Sequence, residues 1–159
     1  MLILLTFICG VVNAKMIRDS IFISNMFLTN SAIQVLSNSF NPGRSVDSFT
    51  NKDNLILYTA DIGVINPTKK RYFVEVICVD SKGNIVLKGA VRRTLSGFSR
   101  RVEGDIIKGY TQTLGMDPKV GAMVSDQLAP LKNGENYFIK LYFEHKLIGV
   151  TRFSYSVIK

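Results

Sequence analysis

The feature that most constrains this chain is an alternation of apolar and polar residues with a period of two, in short runs closed by turn chemistry. Over residues 55–65, Ile56, Tyr58, Ala60, Ile62 and Val64 fall on one side, with Thr59, Asp61 and Gly63 on the other. Successive side chains point to opposite faces only in an extended strand, so the pattern predicts a sheet with one buried face. The run stops at Asn66-Pro67-Thr68, where proline fixes φ and offers no N–H to a ladder. Next, Tyr72, Val74, Val76 and Cys78 share a face while Glu75 points the other way. Asp80-Ser81-Lys82-Gly83-Asn84 is hairpin chemistry, because glycine accepts the left-handed backbone of such turns. In residues 85–93, Ile85, Leu87 and Val91 face one way and Lys88 and Arg92 the other.

Near the C-terminus Tyr137, Ile139, Leu141 and Phe143 alternate with Phe138, Lys140, Tyr142 and Glu144. The turn Glu144-His145-Lys146 leads into a last strand whose inward parity slips near Thr151, which predicts a bulge there. Residues 21–28, 32–36, 102–107 and 110–114 read as further strands. Short strands at this spacing predict an all-β fold, an antiparallel sandwich. One short helix is the option left open, over residues 118–128. Asp117-Pro118 resembles a cap followed by proline at the first helical position, and Val120, Met123, Val124 and Leu128 follow at helical spacing. Gly121 weakens that reading and leaves a strand as the alternative.

The N-terminus reads as a leader. Residues 2–12 are almost unbroken apolar sequence, Val12-Asn13-Ala14 is a small-residue ending, and Lys15 opens a polar segment. That is the layout of a cleavable secretory signal, although no Lys or Arg precedes the apolar run and a buried first strand is the alternative. The expected organisation is therefore a signal peptide at 1–14 and one domain at 15–159. The expected location is the periplasm, or secretion to the cell surface. No apolar run reaches the ~18–20 residues of a membrane-spanning helix. Cleavage would remove Cys9 and leave Cys78 as the only cysteine, in an apolar run that suits a buried thiol. The one Asn-x-Thr match, Asn66-Pro67-Thr68, is blocked by its proline.

Residues 131–137, Leu-Lys-Asn-Gly-Glu-Asn-Tyr, followed by Phe138-Ile139-Lys140-Leu141, resemble the tyrosine-corner segment of fibronectin type III and other immunoglobulin-like sandwiches. The resemblance implies that Leu131 packs inward, that a turn containing Gly134 crosses between sheets, and that Tyr137 opens the next strand with its hydroxyl bonded to upstream backbone. The chain departs from the family in having Asn133 where proline is common and in lacking tryptophan. Such folds host many activities, so the resemblance implies architecture rather than function.

Residues able to do chemistry are sparse. His145 is the sole histidine, placed at an expected hairpin tip, and no phosphate-loop, dinucleotide-binding, nucleophile-elbow or paired-cysteine motif occurs. Asp47, Asp53 and Asp61 are too dispersed for a calcium loop. Glu103 and Asp105 would share strand parity, which describes a solvated face more often than an acid–base pair. From these residues no catalytic group, metal or cofactor is expected, and the chain is not read as an enzyme. A hydrolase-type enzyme using His145 or Glu103/Asp105 is the remote alternative.

Charge is the one feature out of the ordinary. The chain carries a formal +8, and residues 69–108 hold ten bases against four acids. Lys88, Arg92, Arg93, Arg100 and Arg101 are the candidate partner-binding residues, on the condition that they converge on one face, which the sequence leaves open. The resulting expectation is an exported, non-catalytic sandwich that binds other proteins, acidic ones included, as an envelope-complex, assembly or accessory subunit, using an edge strand and that basic face. A glycan- or anionic-surface-binding module is the alternative; the lack of tryptophan counts against it, and Phe138 and Tyr142 are rings that either substitute or cover a second apolar layer. Nucleic acid is the least favoured partner, because a leader takes the chain away from it and no aromatic strand motif or basic helix is evident.

Overall fold

The computed structural model describes residues 18–30, 45–95, 97–116 and 126–159. The expected leader, the expected strand at 32–36 and the N-terminal part of the 118–128 segment lie outside them. Ten strands and no helix are present among the described residues: β1 (Ser20–Thr29), β2 (Ser48–Thr50), β3 (Ile56–Ile65), β4 (Arg71–Asp80), β5 (Ile85–Thr94), β6 (Phe98–Val102), β7 (Asp105–Met116), β8 (Asp126–Gln127), β9 (Glu135–Phe143) and β10 (Lys146–Ser156). No helix among them is long and apolar enough to cross a membrane. The strands form a four-stranded sheet, β1-β3-β7-β6, and a six-stranded sheet, β2-β10-β9-β4-β5-β8. Every pairing is antiparallel except β2 with β10.

The period-two pattern sets the core. Ile56, Tyr58, Ala60, Ile62 and Val64 of β3 are buried in one cluster with Tyr72, Val74, Val76 and Cys78 of β4 and Tyr137, Ile139, Leu141 and Phe143 of β9. Burying each large apolar side chain contributes roughly 1.5–3 kcal/mol. Rings join neighbouring strands of the six-stranded sheet on its inner side: Tyr72 of β4 stacks on Phe143 of β9 with centroids 5.0 Å apart, and Phe49 of β2 meets Phe153 of β10 edge-on at 5.6 Å.

Turns close the strands where their chemistry predicts. Glu144 and His145 both have positive φ, 47° and 66°, the mirror-image turn whose twist suits a two-residue hairpin. The Asp80 carboxylate caps the β4–β5 turn by accepting from the Lys82 and Asn84 backbone N–H and from the Asn84 side chain. At the tyrosine-corner segment Leu131 is buried, Gly134 has φ 73°, and the Tyr137 hydroxyl accepts from the Lys132 N–H at 2.7 Å.

Five expectations are corrected. Residues 102–107 are not one strand, because Glu103 (φ 50°) and Gly104 (φ 90°) make the β6–β7 turn. Glu103 therefore shares no strand face with Asp105, whose carboxylate accepts from the Asn66 side chain. The C-terminal end of the 118–128 segment is strand, not helix, with Asp126 and Gln127 pairing to Lys88 and Leu87. The slip in the last strand sits at Ile148, between Leu147 and Gly149, rather than near Thr151. A bulge at Val86 buries both Val86 and Leu87, leaving Ile85 exposed instead of inward.

Gly109 and Gly149 each permit a close approach. A Cβ on Gly109 would stand 2.0 Å from the Phe98 ring and 2.3 Å from the Ile62 carbonyl oxygen, so the end of the Phe98 ring occupies the space above Gly109. A Cβ on Gly149 would stand 2.8 Å from Ile23 Cδ1 and 2.9 Å from the Met26 sulfur, where β1 closes against β10.

Candidate functional site

The candidate basic residues do not share a face. Lys88 and Arg92 lie opposite Ile77 and Phe73 of β4, on the outward side of the six-stranded sheet. Arg93 points the other way, between the sheets, where its Nε donates to Gln112 Oε1 of β7 at 3.0 Å. Arg100 and Arg101 lie opposite Ile107 and Ile106, hence on opposite sides of the β6–β7 hairpin. Arg92, Arg93, Arg100 and Arg101 gather instead at one end of the sandwich, whereas Lys88 lies farther along β5 toward the β4–β5 turn.

Three links assemble that end. Asn66 donates its N–H to the Ile106 carbonyl at 2.7 Å and accepts from the Ile106 N–H at 2.9 Å, tying the β3–β4 connection to the β6–β7 hairpin. Arg71 pairs with Thr94, so β4 starts where β5 ends. Lys69 Nζ reaches the Glu144 carboxylate at 2.6 Å, bringing in the β9–β10 turn. The acids here are largely engaged. Hydrogen bonds from Lys69 and the Phe73 N–H hold the Glu144 carboxyl below its usual range. Burial pushes Asp19 up, but hydrogen bonds from Thr68 and Tyr72 outweigh it and hold that carboxyl low. Among the described residues no ion pair engages Arg71, Arg92, Arg100, Arg101 or Lys108.

The outward face of the six-stranded sheet continues from this end. Register places Val150, Lys140, Ile77 and Lys88 in one row across β10, β9, β4 and β5, and Leu147, Tyr142, Glu75 and Ala90 in the next. Phe73 follows beside Arg92, with the exposed His145 ring stacked on it at 4.8 Å. Glu75 is the only carboxylate on this side of the four strands, and it pairs with Lys88 at 3.2 Å. Farther along, an open cleft of about 460 Å³ is lined by Asp47, Asn136, Arg152 and Ser154. Sequence reading missed Phe73, although its outward parity beside Glu75 was a signal.

Reactive groups are not gathered. Burial, with a smaller contribution from Asp80, pushes the Cys78 thiol up to about 12, so it is not a thiolate at neutral pH. Among the described residues no three His, Cys, Asp or Glu side chains come together to hold a metal ion.

Neither a protein-family model nor a curated protein sequence matches the chain. Among solved structures, Pseudomonas fluorescens alkylpurine DNA glycosylase AlkC bound to DNA containing an abasic site analog aligns with 86% of this chain at 13% identity and a TM-score of 0.40. The alignment covers 30% of that protein. Three expectations run against this neighbour, a DNA-bound enzyme, and are withdrawn: the exported non-catalytic protein binder, the reading of the chain as no enzyme, and the ranking of nucleic acid as the least favoured partner. At this level of likeness no activity is carried from that protein to this chain. What the geometry adds to the sequence is lateral. Bases and rings from four strands, far apart in sequence, become neighbours only across the sheet, so no single segment displays an aromatic or basic motif.

Proposed function

We propose that the chain binds nucleic acid, gripping the phosphate backbone with the arginines and lysines gathered at the β5 end, the β6–β7 hairpin and the adjoining outward sheet face. The observation that carries this reading is the set of exposed bases, Arg92, Arg100, Arg101 and Lys108, left without a carboxylate partner among the described residues. Guanidinium groups offer forked donors that match phosphate oxygens, and each contact releases a condensed counterion. Binding is then strong at low salt and falls steeply as salt rises.

Fluorescence anisotropy with labelled DNA oligonucleotides across a salt series tests the proposal. The Arg100→Glu/Arg101→Glu variant is expected to weaken binding at least about ten-fold and to flatten the plot of log K against log salt by about one to two units. Both positions are exposed, so the variant is expected to fold normally. Absence of binding at low salt, or an unchanged salt slope in the variant, overturns the reading.

A further inference from the structure

We infer that the outward face of the six-stranded sheet is a stacking platform for unpaired bases, which makes single strands the preferred ligand over duplexes. This inference rests on the nucleic-acid reading above. Phe73, Phe138 and Tyr142 are half-buried on this face. Phe73 and Tyr142 lie on neighbouring strands, displaced by two residues, which sets them about 7–8 Å apart. His145 extends the Phe73 ring toward solvent by its stack. Cations alternate with these rings: Lys140 lies between Phe138 and Tyr142 on β9, and Arg92 lies beside Phe73 on β5. Neither Lys140 nor Arg92 has an ion-pair partner among the described residues.

A ligand complementary to this face presents flat rings and negative charges in alternation. A single strand does so, because its bases can splay onto side-chain rings while its phosphates meet the intervening cations. A duplex keeps its bases stacked inside and offers the sheet phosphates alone. Every base has a π-face, so the platform is expected to tolerate sequence.

The chain has no tryptophan, and of its six tyrosines Tyr142 is the only one not buried. Stacking on Tyr142 therefore has its own signal, quenching of tyrosine emission. The experiment measures affinity for a twelve-nucleotide oligo-dT, and for a duplex of equal length, at matched salt, together with tyrosine fluorescence. The wild type is expected to favour the single strand about ten-fold and to be quenched by it. Phe73→Ala/Tyr142→Ala is expected to lose that preference and keep its duplex affinity, which also reports that it is folded. Tyr142→Phe is expected to keep the preference and lose most of the quench. Equal affinity for single strand and duplex in the wild type, or an unaltered preference in the double alanine variant, overturns the platform and leaves phosphate binding standing. Failure to bind either oligonucleotide overturns the phosphate reading itself.

Discussion

The Tyr137 hydroxyl serves structure: it accepts the Lys132 N–H five residues upstream and fixes the path of the chain into β9. Tyr137→Phe leaves that N–H without its partner and is expected to destabilise by about 1–2 kcal/mol, measured by urea denaturation. Contacts of this kind are legible in sequence because both partners fall within one short segment. Arg93 is the opposite case. Parity with Leu87 and Val91 directs it inward, while its charge argues for the surface. The deciding fact, a Gln112 amide oxygen waiting on the other sheet, lies 19 residues away.

Which residues of a strand face the core is expressed in the alternation itself, but strand order and bulges are not. One extra residue at Val86 or Ile148 reverses the facing of everything on one side of it, and nothing in the local apolar pattern fixes where it falls. The turn at Glu103-Gly104 was hidden for a related reason: apolar Val102, Ile106 and Ile107 flank it and simulate one continuous strand. Close packing between elements predicts a ranking of glycine variants. At Gly109 a methyl group meets the Ile62 backbone carbonyl, which cannot withdraw, whereas at Gly149 it meets the flexible ends of Ile23 and Met26. Gly109→Ala is expected to cost about 2–3 kcal/mol and Gly149→Ala clearly less, compared by their thermal unfolding midpoints.

For the molecule as a whole, acid is the sensitive direction. Glu144, Asp19, Asp80 and Glu135 all have carboxyls held below their usual range, each by hydrogen bonds from neighbouring side chains and backbone. A folded pKa below the unfolded one contributes stability above the unfolded value and loses it as pH falls through the folded value. The urea midpoint is expected to be level from pH 7 to about 5 and to decline below about pH 4.5. Glu144→Gln is expected to shallow that decline. Buried Tyr58 and Tyr110 act in the opposite sense, since their raised pKa values stabilise the fold below about pH 10 and the contribution is lost as alkali rises further. The parallel pairing of β2 with β10 has a consequence for biosynthesis. Phe49 is made early, yet the ring that covers it, Phe153, leaves the ribosome only about a hundred residues later, and such distant partners close slowly. A nascent chain must carry that greasy side chain uncovered until β10 has been made, so a chain cut short before Phe153 would yield a product prone to clumping.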